Sequence, residues 1–157
     1  MVKTAPRNTR RAKIGDVFEI ETTKGLAYFQ YTHQHPVYGG LIRVLPGLYA
    51  ERPADVATLV AGAERYFVFF PVRAAAARGL VTIVGNETIP DHARAFPLFR
   101  AGRPGNWWLW DGEAEWRVEE LTPAQHSLPI RMIWNDTMLA SRIASGWTPE
   151  DAGHVVP

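Results

Sequence analysis

Three runs with strand character, residues 17–21, 26–32 and 41–45, follow one another with little chain between them, and that crowding limits the possible folds more than any other feature. In the first, Val17 and Glu19 alternate with Phe18 and Ile20, the period-two pattern of a half-buried strand. Thr22-Thr23-Lys24-Gly25 supplies a turn into an aromatic return strand, so the first two runs make a hairpin. A loop over residues 33–40 leads into the third run, which Pro46-Gly47 stops. Parallel neighbours need a crossover of a dozen or more residues, and none fits here. The sheet is expected to be antiparallel.

Further strands are expected over residues 66–70, 80–84, 107–110 and 116–118. The second of these hairpins, around Asp111-Gly112-Glu113-Ala114-Glu115, is the sharpest local signal in the chain. Residues 66–70 show no polar alternation, as in a strand buried on both faces. Short helices are expected behind Pro53, where Val56, Leu59 and Val60 share one face, and over the alanine-rich residues 72–78. Thr122-Pro123-Ala124-Gln125 has capping-box form. Asn135 or Asp136 caps a C-terminal helix that ends at Gly146. The sum is an α+β domain, mainly antiparallel, with about seven strands in a strongly bent sheet or partial β-barrel and three or four short helices.

At 157 residues one core suffices. Lys3, Arg7, Arg10, Arg11 and Lys13 leave the remaining chain mildly acidic despite a formal charge of +1. Residues 1–12 therefore read as a flexible basic tail ahead of one globular domain over residues 13–157, and the domain itself lacks the basic balance usual for tracking a nucleic-acid backbone. No apolar run reaches the ~20 residues of a spanning helix, and no secretion signal follows the cationic opening, so the expectation is a cytoplasmic protein without membrane contact. With no cysteine, thiolate chemistry and disulfides are excluded.

His33-Gln34-His35 puts two imidazoles on one side of an extended segment, a possible start to a metal site, but no further ligand stands at motif spacing. Solvated or hydrogen-bonded histidines are the plainer reading. No glycine-rich phosphate loop, serine nucleophile elbow or other strong catalytic motif occurs, so neither an enzyme nor a cofactor is expected. What stands out is the stretch from Trp107 to Glu120. Four of the six tryptophans lie within residues 107–116, beside Glu113, Glu115, Glu119 and Glu120. Alternation sends Trp108 and Trp110 to one face and Trp107 and Leu109 to the other. Core packing accounts for some of these rings; an exposed aromatic patch ringed by carboxylates would anchor a partner. The candidate partner-binding residues are Trp108, Trp110, Trp116, Glu113 and Glu115.

Lys13-Ile14-Gly15-Asp16-Val17-Phe18-Glu19-Ile20 and the return segment Gly25-Leu26-Ala27-Tyr28-Phe29-Gln30-Tyr31 resemble the opening hairpin of the immunity protein 26 family of bacterial polymorphic toxin systems. The resemblance covers residues 13–46, and the chain departs from the shorter members in residues 121–157. It implies a β-rich protein without catalytic activity that binds and blocks a cognate toxin. The function expected is thus non-enzymatic protein binding, with a toxin as partner. The alternatives are a small-barrel nucleic-acid binder, using the basic tail and stacking aromatics, and a metal-dependent enzyme using His33 and His35.

Overall fold

The computed structural model describes residues 10–154. Eight antiparallel strands form two sheets: β1 (Asp16–Thr22), β2 (Gly25–His35), β3 (Gly39–Val44), β4 (Tyr66–Phe69) and β5 (Thr82–Asn86) in the order β4-β3-β2-β1-β5, and β6 (Phe99–Arg103), β7 (Asn106–Trp110) and β8 (Glu115–Val118) in the order β6-β7-β8. Three α-helices intervene, α1 (Val56–Ala61), α2 (Val72–Ala77) and the C-terminal α3 (Asp136–Ser145).

The expected antiparallel α+β class holds, but no barrel closes. The five-stranded sheet ends on β4 at one side and β5 at the other, and the outer side of β4 meets Ile133 rather than β5. The additional strand is β6, which contains Gly102 at φ +96° in a stretch that reads as a turn. A Cβ at Gly102 would lie 2.1 Å from the Asn106 carbonyl oxygen, so only glycine fits this tight entry into β7.

The first sheet has two covered faces. Phe18, Phe29, Tyr31, Ile42, Val44, Tyr66 and Val68 face α2 and α3. Phe18 and Phe29 are register partners with stacked rings 5.1 Å apart. On the opposite face α1 lays Val56, Leu59 and Val60 over Val17, Tyr28 and Leu45. Farther along that face, Leu41 and Phe69 meet Phe99 and Trp110 of the second sheet. β4 is therefore covered on both sides, as its unbroken apolar run implies.

Helix ends follow the sequence signals. Asn135 accepts from the Met138 N–H at 2.8 Å, and Gly146 closes α3 at φ +73°. Thr122 and Gln125 satisfy each other's backbone N–H groups reciprocally, over a 3-10 turn (Ala124–Ser127). Trp134 and Trp147 meet edge to face with centroids 4.9 Å apart, and Arg142 packs against both, 4.6 and 4.8 Å from their ring centroids, which fixes two tryptophans as scaffold. Arg100 is buried with no carboxylate beside it among the described residues, and burial lowers its pKa. It donates to the Pro149 carbonyl and so holds down the chain after α3.

The polar centre of the sheet is Arg43, fully buried directly opposite Gln30. Its Nε donates to Glu64 at 2.9 Å, and its Nη1 donates to Gln30 at 3.0 Å and to the Val60 carbonyl at 2.9 Å. Nη2 donates to the Gly62 carbonyl. Gln30 in turn donates through Nε2 to the carbonyls of Glu87 and Gly15. Substituting Arg43 by Met leaves the Gln30 amide oxygen and two carbonyls without their donor and Glu64 with only the His92 imidazole 3.6 Å away, with an expected loss of ~3–5 kcal/mol in urea unfolding.

Of the expected basic tail, residues 1–9 lie outside the described residues, and residues 10–12 lie against the domain. Ala12 is buried in the main core, and Arg10 pairs with Asp16 at 2.7 Å. Burial pushes the Asp16 carboxyl upward, but hydrogen bonds from Arg10, the Lys13 N–H and Asn86, with the Arg10 charge, outweigh it and hold the pKa below the ordinary value. The stability this contributes is present above the unfolded-state pKa of about 4 and is lost as pH falls through the lower folded value. Urea midpoints at pH 7 and pH 3 should therefore differ less in Asp16→Asn than in the parent chain.

Candidate partner-binding surface

The β7–β8 hairpin turns on Asp111, whose Oδ1 accepts the N–H groups of Glu113 and Ala114, both at 2.9 Å. These donors, Ala114 first and then Glu113, hold the Asp111 carboxyl below its usual pKa. In the ladder Trp107 faces Val118, Trp108 faces Arg117, Leu109 faces Trp116 and Trp110 faces Glu115. Two faces result. Trp107, Leu109 and Val118 pack with Leu98, Leu121 and Leu128, while Trp110 packs with Phe69, Phe96 and Phe99.

Trp110, expected among the partner-facing residues, is instead turned inward. It is 5% exposed, with Phe99, Tyr38 and His35 ring centroids 5.3, 5.0 and 5.0 Å away. Its face of β7 is the one that meets the first sheet, which alternation alone could not specify. Trp108 is half-buried, and Trp116 is 41% exposed. Glu113 and Glu115 are exposed, Glu115 bonding Arg131 at 2.7 Å, and Arg131 also lies 5.5 Å from the Trp110 ring centroid. Arg131 went unnoticed in the sequence because it stands outside any periodic segment.

The histidine pair lies beside the same hairpin. A register shift between Tyr31 and His33 leaves Thr32 as a bulge, with its hydroxyl donating to the Leu41 carbonyl at 3.2 Å. The bulge puts His33 opposite Leu41 and His35 opposite Gly39. His35 Nδ1 accepts the N–H groups of Val37 and Tyr38, both at 3.1 Å, which assigns the proton to Nε2, 2.8 Å from the Gly112 carbonyl. His33 Nε2 lies 2.7 Å from the Arg94 carbonyl, and its Nδ1 lies 2.9 Å from the Thr32 hydroxyl. Each of the four ring nitrogens lies within hydrogen-bonding distance of a polar atom, and among the described residues no group of three or more His, Asp or Glu is placed to hold a metal.

These two features, separate in sequence, wall one open cleft of about 590 Å³ lined by His33, Gln34, His35, Phe96, Asp111 and Glu113. His33 and His35 act there as staples, tying the loops at Arg94 and Gly112 to the end of β2. A second hollow of about 290 Å³ lies between Lys24, Arg65, Tyr66 and the end of α3. No helix among the described residues is long and apolar enough to cross a membrane.

No protein-family model, curated protein or solved structure matches the chain. The chemistry of the surface therefore rests on its own residues. The exposed indole of Trp116 stands on the Leu109 side of the hairpin, apart from the cleft that His33, His35, Asp111 and Glu113 line.

Removing the His35 staple should loosen the hairpin turn without unfolding the sheets. His35→Ala is expected to lose about 1–3 kcal/mol through its unpaired backbone partners. Amide exchange should speed most at Val37 and Tyr38, whose N–H groups lose their acceptor.

Proposed function

We propose that this chain is a non-enzymatic protein-binding domain that docks a basic partner on its β7–β8 hairpin, and that the partner is a cognate bacterial toxin which it blocks. The observation that carries the docking reading is Trp116, a large indole left accessible on a charged strand. The carboxylates of Glu113, Glu119 and Glu120 are exposed and make no ion pair among the described residues. A rigid aromatic side chain supplies contact area at low entropic loss, and an excess of negative charge around it, which Arg117 offsets only in part, speeds the approach of an oppositely charged partner.

The toxin reading adds the resemblance over residues 13–46. Its residues have scaffold roles: Gly15 N–H donates to the Tyr31 carbonyl at 2.8 Å, and Gln30 reaches the Gly15 carbonyl. The resemblance therefore speaks to the frame, and the partner surface comes from residues beyond it. That division suits a shared scaffold carrying a recognition surface of its own.

The test is an affinity capture from lysate of the source cells with tagged parent chain and tagged Trp116→Ala, with and without nuclease. A toxin polypeptide retained after nuclease treatment, and bound at least tenfold more weakly by Trp116→Ala, is expected. Nuclease-sensitive recovery of nucleic acid by both would overturn the reading. Trp116→Ala should leave thermal unfolding nearly unchanged, whereas Trp110→Ala, which empties a packed aromatic site, should lose ~3–5 kcal/mol.

A further inference from the structure

The hollow of about 290 Å³ at the end of α3 is separate from the β7–β8 hairpin, none of whose residues lines it. Its buried lining comes from Val44 and Leu45 where β3 ends, Tyr66 where β4 begins, and Ile143 of α3. Its exposed rim carries Lys24 from the β1–β2 turn and Arg65. No aspartate or glutamate lines it, and neither cation has a carboxylate within ion-pair distance among the described residues. Glu64, next to Arg65 in sequence, is committed to Arg43. The walls are thus apolar and the mouth is positive. The carbonyls at the end of α3 would offset that charge if they were open. Those of Arg142 and Ile143 instead accept the N–H groups of Trp147 and Gly146 at 3.1 and 3.2 Å, and that of Gly146 accepts from Arg65 at 3.4 Å.

Tyr66 adds a donor without an acceptor. It is 5% exposed, and its hydroxyl has no hydrogen-bond partner among the described residues. Burial pushes its pKa up to about 12, against the charges of Arg65 and Arg142, so the group stays an O–H at neutral pH. Buried polar groups are nearly always paired, and an orphan is costly until something brings it an acceptor. A cationic occupant would be repelled by Lys24 and Arg65. A bare inorganic anion would leave the apolar lining uncovered. The complement of this hollow is negative at one end and apolar at the other, and its volume suits a body about the size of one aromatic ring on a short arm.

We propose that this hollow binds a carboxylate borne on an apolar group: Lys24 and Arg65 pair with the charge, the Tyr66 hydroxyl donates to it, and the apolar group lies against Val44, Leu45 and Ile143. A free small acid and a polypeptide terminus ending in an apolar residue share this chemistry. The site goes beyond the docking reading of the hairpin and does not depend on it.

The probes are phenylpropionate, its neutral amide, and an acetylated Ala-Ala-Phe peptide with a free or an amidated terminus, each titrated into the isotope-labelled full chain. Saturable amide shifts are expected at residues 44–48, 65–66 and 143–147 with the carboxylates, and about tenfold weaker binding with the amides. Lys24→Gln and Arg65→Gln should each weaken carboxylate binding several-fold. Tyr66→Phe separates an orphaned hydroxyl from a structural one. Its thermal unfolding without probe should be unchanged or raised, because no hydrogen bond is lost, while its binding weakens about tenfold. Tighter binding of the free acid assigns the site to small acids, and tighter binding of the peptide assigns it to a chain terminus. The proposal is overturned by the absence of saturable shifts at those residues, by equal binding of acid and amide, or by a Tyr66→Phe variant that binds as well as the parent or unfolds at lower temperature.

Discussion

A guanidinium in the middle of a sheet cannot be left unpaired, and the first sheet is organised around satisfying Arg43. Desolvating the cation is expensive, so each N–H needs an acceptor with good geometry. The acceptors come from places far apart in sequence: Gln30 on β2, the carbonyls of Val60 and Gly62 at the end of α1, and the Glu64 carboxylate before β4. One side chain thus fixes where α1 ends, how the chain re-enters the sheet and which residue of β2 stands opposite. Gln30 passes the constraint on to the carbonyls of Gly15 and Glu87, so β1 and the end of β5 are tied to the same centre. An apolar core alone would tolerate a slipped register at lower penalty; this network does not.

The second sheet is attached by different physics. Phe69, Phe96, Phe99 and Trp110 form a contiguous aromatic group, with Phe69 and Phe99 stacked at 5.1 Å across the two sheets. Such rings bury much area and tolerate adjustment in angle, which suits a joint between two separately hydrogen-bonded units. Direction is then added at the rim by His35, which reaches from β2 to the Gly112 carbonyl. Thr32 makes this possible, because without the bulge His33 would fall on the opposite face of β2.

Much of this was legible where local chemistry decides structure. Alternation at residues 17–21, the Thr122 to Gln125 capping box and the Asn135 to Gly146 helix are fixed by neighbours a few positions away. What escaped was set by distant partners. Arg43 reads as one charge in an apolar run until Glu64 and Gln30 are placed around it. β6 was hidden because Gly102 serves both strand and turn. For the candidate site, alternation sorted the tryptophans onto two faces but could not say that both faces would be covered, which sends Trp110 inward and leaves Trp116 at the rim. The His33 and His35 pair was visible as a pair, whereas its shared cleft with Asp111 and Glu113 depends on how the two sheets pack.

On the proposed docking reading, stability and recognition are divided between strands that adjoin each other. β7 is committed on both faces, with Trp110 in the joint and Trp107 and Leu109 in a separate cluster, so it has little freedom to adapt to a partner. β8 is attached to that rigid strand by its ladder and carries the exposed residues. A recognition element mounted this way loses little entropy on binding, because its backbone is already held in extended form. Its charge has a second effect in the free protein. Charged side chains at the exposed edge, Glu115 and Arg117 within the strand and Glu119 and Glu120 after it, must be desolvated or matched before another strand can cover it.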